Sequence, residues 1–170
     1  MTYHSEHQNP YQIRFQIEKT RVGEQTPYDT VKLDGNLLLN GGRDLLNNLL
    51  TGTGSPVALG SANALVHVGD SAVTASAPQT ELQGTGTYND TVGTPHKWKK
   101  GMEPGFPQII TATGVIRYKA RFLSDEANFT WQEFGVSNGA TLFNRRVASP
   151  AIGTKTIEDE WVFSVEISFA

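Results

Sequence analysis

Ile13, Phe15 and Ile17 alternate with Arg14, Gln16 and Glu18, the two-residue period of a strand that turns one face toward a core. The same period returns later in the chain. From Thr113 to Phe122, Ile116, Tyr118, Ala120 and Phe122 oppose Arg117, Lys119 and Arg121. Phe129, Trp131 and Glu133 oppose Thr130, Gln132 and Phe134, and Trp161, Phe163, Val165, Ile167 and Phe169 alternate with Val162, Ser164, Glu166 and Ser168. Tyr28 to Leu33 and Ala64 to Val68 read as two further short strands.

One segment follows a different period. After Asn40-Gly41-Gly42, Leu45, Leu46, Leu49 and Leu50 recur at helical spacing, with Gly52 as the stop. This predicts a short amphipathic helix capped by Asn40, its leucines lying over an end or face of a sheet. The run is too short to span a membrane.

Gly, Asn and Pro turns divide the strands, so the predicted fold is mainly β: an antiparallel β-sandwich or small barrel with one short α-helix and an extended N-terminal arm. Residues 1–11 hold His, Gln, Asn and Pro with little to bury and are read as the arm; 12–170 form a single β-rich domain. Gln79 to Gln83 begins another short element. Five glycines, three prolines and almost no period mark a long loop at about 84–108, where contacts with another subunit are expected.

A length of 170 residues suits one domain with a real core. Only 18% of residues are charged and 17 are glycine, which describes a loop-rich chain whose surface is suited to being covered by neighbours. The net charge of -3 makes nucleic acid an unlikely general partner, since phosphate binding needs an excess of Lys and Arg. Absence of cysteine excludes disulfides, zinc thiolates and thiol nucleophiles. Met1 to Pro10 lacks the apolar core of a secretion signal and no apolar run reaches membrane length, so a soluble product made in the cytoplasm is expected, with the sequons at Asn89 and Asn128 unglycosylated.

Candidate chemistry is sparse. His4 and His7, with Glu6 between them, lack the further ligands of a structural metal site, and no metal or cofactor is predicted. His67 is read as a core or edge residue of its strand. Serine-elbow, zincin and phosphate-loop patterns do not occur. The acidic groups Asp125-Glu126 and Glu158-Asp159-Glu160 are read as solvated turns, because a glycosidase needs its carboxyls across a groove.

Lys97-Trp98-Lys99-Lys100 has two readings: a ring that stacks on a base while lysines track a backbone, or, preferred, an anchor on a neighbouring subunit. Arg117, Lys119 and Arg121 form a basic stripe, either solvated or a docking surface. Trp131 and Trp161 are assigned to the core. Glu133 shares the strand face of Trp131, so burial of that face would require a cationic partner, Arg145 or Arg146.

The segments Asn36-Leu37-Leu38-Leu39-Asn40-Gly41-Gly42, Val68-Gly69-Asp70-Ser71, Thr80-Glu81-Leu82 and Gly101-Met102-Glu103-Pro104-Gly105-Phe106-Pro107 carry a resemblance. The most specific part is Ala127-Asn128-Phe129-Thr130-Trp131-Gln132-Glu133-Phe134-Gly135-Val136, followed by Asn144-Arg145-Arg146, Gly153-Thr154-Lys155 and Trp161. In these, over residues 33–170, the chain resembles small structural proteins from the head and tail gene clusters of tailed phages. The basic loop before Met102 and the long N-terminal extension depart from that pattern.

The resemblance implies a non-enzymatic virion component on a β-rich scaffold and leaves open which shell or tube carries it; the first reading is a capsid decoration (cement) protein. Such a protein binds the major capsid protein on the outside of the assembled shell and self-associates, for example as a trimer, with the arm extending a neighbour's sheet. The alternatives are a tail, baseplate or fibre-attachment protein that binds tail proteins, and a host-surface carbohydrate-binding module using Tyr88, Trp98 and Phe106.

Overall fold

The structure is a computed structural model that describes residues 11–169. His4, His7 and all of the expected arm except Tyr11 lie outside the described residues. Tyr11 itself begins a strand.

Among the described residues, twelve strands and one helix follow in chain order. They are β1 (Tyr11–Arg21), β2 (Asp29–Asp34), β3 (Leu37–Leu38), α1 (Asn40–Thr51), β4 (Leu65–Gly69), β5 (Lys97–Gly101) and β6 (Gln108–Ile110). Then come β7 (Val115–Phe122), β8 (Thr130–Trp131), β9 (Glu133–Ser137), β10 (Leu142–Val147), β11 (Gly153–Thr154) and β12 (Asp159–Phe169). One sheet has the order β2-β1-β12-β7-β6, the other β3-β10-β9-β4-β5, and β11-β8 form a small ladder. Every pairing is antiparallel. The two large sheets enclose one core, which makes the molecule a β-sandwich.

Alternation in the sequence sets which face each strand buries. Along β1, Ile13, Phe15 and Ile17 point inward, opposite Ile167, Val165 and Phe163 of β12, while Tyr118, Ala120 and Phe122 of β7 continue the same layer. From the other sheet, Val66, Val68, Phe134 and Val136 face them. The centre is aromatic: Trp131 meets Trp161 and Phe122 edge-on at 4.9 and 4.8 Å between centroids, and Phe134 meets Phe163 at 5.4 Å. Such contacts add roughly 0.5–1.5 kcal/mol each to the area they bury.

Strict alternation fails at Gln132. This residue belongs to neither β8 nor β9; its N–H donates to the Gly69 carbonyl and its own carbonyl accepts from Ala148. The extra residue lets Trp131 and Phe134 both enter the core, and Glu133 moves to the outer face of the second sheet. The expectation that Glu133 shares the face of Trp131 is therefore corrected.

Glu133 is nevertheless fully buried, because the segment before β5 folds over that outer face. Its carboxylate accepts from the backbone N–H of Gln83 (2.9 Å) and Gly84 (2.7 Å). Arg145 donates to it through Nε (2.9 Å) and Nη2 (2.7 Å). The remaining Arg145 Nη1 donates to Gln79 Oε1 at 2.9 Å, and Gln79 Oε1 also accepts from the Ser76 N–H. Arg145 is thus the partner of the two candidates. Arg146 is not, and its Nε has no hydrogen-bond partner among the described residues. Gly69 is required beside this pair, since a Cβ there would collide with the Glu133 carboxylate.

The helix differs from expectation in two respects. Leu39, not Asn40, is its N-cap, with no side-chain cap bond, while Gly52 closes it in the left-handed conformation as expected. Leu45 is buried, but Leu50 is 86% exposed, so the leucine stripe is only partly used. Gln79 to Gln83 forms no helix or strand; it is the cover over Glu133. The expected long loop at 84–108 is interrupted by β5, which pairs with β4 from Leu65↔Gly101 to Gly69↔Lys97.

His67, in β4, is buried and its Nε2 lies 2.7 Å from Ser137 Oγ, with the Tyr88 ring edge-on at 5.2 Å. Burial, reinforced by the Lys99 charge, lowers its pKa to about 3. The folded protein therefore resists protonating a group that the unfolded chain protonates below about 6.5. Its contribution is complete above that pH and declines by about 1.4 kcal/mol per pH unit as pH falls toward 3. Urea midpoints measured from pH 7 to pH 4 are expected to fall, and His67→Gln, which keeps a donor to Ser137, is expected to flatten that slope.

Substituting Glu133→Gln leaves the Arg145 guanidinium buried and uncompensated and is expected to destabilise the fold by about 3–5 kcal/mol. Equilibrium urea unfolding of Glu133→Gln, Arg145→Met and the double variant should show strong non-additivity, a coupling of up to about 3 kcal/mol. Additive losses would mean that the two groups do not act as a unit.

Candidate functional site

The polar faces of β2, β1, β12 and β7 lie side by side on the outside of the first sheet, and register decides which residues become neighbours. Lys32 pairs with Gln16, Gln16 with Ser164 and Ser164 with Lys119, giving one row that crosses four strands. In the adjacent row Asp34 pairs with Arg14, Arg14 with Glu166 and Glu166 with Arg117, so the charges alternate in sign. These rows form the floor of a groove of about 450 Å³.

The wall of the groove comes from the loop between β5 and β6. Glu103 N–H donates to the Lys119 carbonyl at 2.8 Å and the Phe106 N–H to the Glu103 carbonyl at 3.1 Å, which folds the loop back over β7. The Glu103 carboxylate accepts from Arg121 Nε at 3.1 Å and lies 3.9 Å from Lys119 Nζ. Phe106 is then held with its ring 5.7 Å from Lys119 Nζ. The Gly101–Pro107 segment singled out in the sequence thus builds one side of the groove.

Electrostatically the basic stripe is largely neutralised within the sheet. Arg117 donates to Glu166 through Nε (2.8 Å) and Nη2 (2.6 Å), and Arg121 lies between Glu103 and Glu160. Arg14 is 3.3 Å from Asp34. Glu18 accepts from the Gln16 amide at 2.8 Å. Lys32 has no carboxylate within 4 Å among the described residues, and Lys119 has only the long contact to Glu103. The floor thus offers two ammonium groups, an amide and a hydroxyl between carboxylates, and can hydrogen-bond a ligand that both donates and accepts.

The basic tetrapeptide lies elsewhere and is not an exposed anchor. Trp98 is 6% exposed and belongs to the core; Lys97 is buried, pairing with Glu81 at 2.9 Å over the Tyr88 ring. Lys99 also lies against Tyr88, and Lys100 pairs with Glu126. The expected platform of Tyr88, Trp98 and Phe106 is not assembled, since Trp98 is packed inside and Tyr88 is engaged by the two lysines.

Nor are the acidic turns merely solvated. Asp159 is buried, accepting from Arg21 (2.8 Å), Tyr28 OH (3.2 Å) and Thr156; although burial works to raise its pKa, these hydrogen bonds and the Arg21 charge hold it below the usual value. Glu126 accepts from the Leu123 N–H at 2.9 Å. Nearby, Lys155 donates to the Leu123 carbonyl (2.6 Å) and Asn128 Oδ1 (3.0 Å), and burial lowers its pKa to about 8. These are structural roles.

A second surface feature closes the same end of the sandwich. Val22, Tyr28, Leu123 and Ile157 are all exposed there. They are gathered by three turns: Val22 N–H donates to the Glu158 carbonyl at 2.9 Å, Tyr28 bonds Asp159, and the Leu123 carbonyl accepts from Lys155. The sequence reading missed this tip, because its residues come from separate turns: Val22, Tyr28 and Ile157 each lie among polar neighbours, and Leu123 merely follows a buried strand.

Among the described residues, no helix is long and apolar enough to cross a membrane and no group of three or more His, Asp or Glu is placed to hold a metal ion. Comparison of the chain with protein-family models, with curated proteins and with solved structures finds no match.

Proposed function

We propose that this chain is a non-enzymatic structural protein of a tailed-phage virion, a decoration protein that binds the major capsid protein on the outside of the assembled shell. The observation that carries the reading is the exposed apolar tip of Val22, Tyr28, Leu123 and Ile157, set on a rigid sandwich end. Large apolar side chains grouped around polar turns are suited to a desolvated contact.

Mass action supplies the mechanism. A protein that binds the assembled lattice but not its separated subunits stabilises assembly by its binding free energy at every site. Self-association, for example as a trimer, would multiply the contacts available to each copy.

Quantitative mass spectrometry of purified virions tests the placement: copies in the hundreds are expected, and a handful would instead indicate a tail protein. In cosedimentation with assembled shells, Val22→Asp combined with Ile157→Asp is expected to weaken binding at least about tenfold, since each side chain removes an apolar contact of about 1 kcal/mol. The urea midpoint should be unchanged, because both residues are exposed. Undiminished shell binding by this variant would remove the tip from the contact.

A further inference from the structure

We infer that the groove over the outer face of the first sheet is a binding site for a short acidic oligosaccharide, lying across the strands along the row Lys32, Gln16, Ser164 and Lys119. This goes beyond the virion reading and does not depend on it, since the groove and the apolar tip involve different residues.

Three features of the groove select this ligand. The first is extent: the row spans three inter-strand steps of about 4.8 Å, roughly 14 Å in all, which fits a chain of a few sugars better than a single one. The groove volume of about 450 Å³ lies within the range of small-ligand sites.

The second is hydrogen-bonding character. Gln16 and Ser164 each donate and accept, and Glu18 and Glu166 flank them as acceptors. Sugar hydroxyls, which also do both, match such a floor. An extended peptide would need free backbone groups at a sheet edge, whereas β1 and β12 are paired on both sides here. Phe106 adds an apolar wall against which the C–H face of a pyranose can lie.

The third is charge. Four cationic side chains and three carboxylates line the groove, and the Arg14–Asp34 and Arg117–Glu166 pairs are closed. Outside those pairs Lys32 and Lys119 stand against the single carboxylate of Glu18, which leaves a net positive charge and calls for a ligand bearing carboxylates.

The test is isothermal titration of the full chain with trigalacturonate, with neutral cellotriose and with a triglutamate peptide. Saturable binding of trigalacturonate is expected, with cellotriose weaker by about fivefold, the worth of one exposed ion pair. Lys32→Met combined with Lys119→Met should abolish that preference, and Ser164→Val and Phe106→Ala should weaken both sugars while the urea midpoint is retained. Failure of trigalacturonate to bind, equal binding of the neutral trimer, or triglutamate binding as tightly as the sugar would each overturn the proposal. None of these outcomes bears on shell binding, which is read separately.

Discussion

A buried carboxylate cannot stand alone in a protein interior, and Glu133 is the point at which this requirement organises the molecule. Its charge is met by a forked contact from Arg145 and by two backbone donors from Gln83 and Gly84. Desolvating both ions costs several kcal/mol, so the arrangement holds only if each remaining polar site is occupied. That condition draws Gln79 and the segment after it onto the sheet, and an otherwise shapeless stretch becomes a fixed cover. Hydrophobic residues of comparable size could fill the same volume, but they would not specify which backbone amides must lie above it.

The irregular residue Gln132 makes this possible. Were Gln132 a regular strand residue, alternation would carry Glu133 into the aromatic core alongside Trp131 and would leave Phe134 outside. One position outside both strands separates a layer of rings from a layer of charges on a single short stretch of chain. The core and the polar node both follow from this one break in alternation.

Fold class was legible because the long strands β1, β7 and β12 each bury one face, and a two-residue period in their sequences reports that directly. The helix and its Gly52 stop were legible from the helical spacing of its leucines, although Leu45 alone of the four is buried, whereas its cap was not, since the chain enters from β3 and turns at Leu39. A cationic partner for Glu133 was foreseeable from the pairing requirement, but the choice of Arg145 over Arg146 is made only by the fold. What could not be read was register. Lys32, Gln16, Ser164 and Lys119 are distant in sequence and become a row only once four strands are aligned. Lys97 to Lys100 shows the converse: the composition of an exposed anchor occupies a strand that buries Trp98, because Tyr88, Glu81 and Glu126 satisfy the lysines around it.

The ladder between β1 and β12 has a mechanical consequence. Tyr11 is opposite Phe169 at one end, and Arg21 is opposite Asp159 at the other, next to the apolar tip. Eleven paired positions at about 3.4 Å each separate these ends by roughly 35 Å. A load applied at Tyr11 or at Phe169 would therefore enter at the pole opposite the tip. Tension applied at both together would peel the two strands apart one rung at a time, whereas a load carried through one of them and the tip would run along the strands and shear the whole ladder at once.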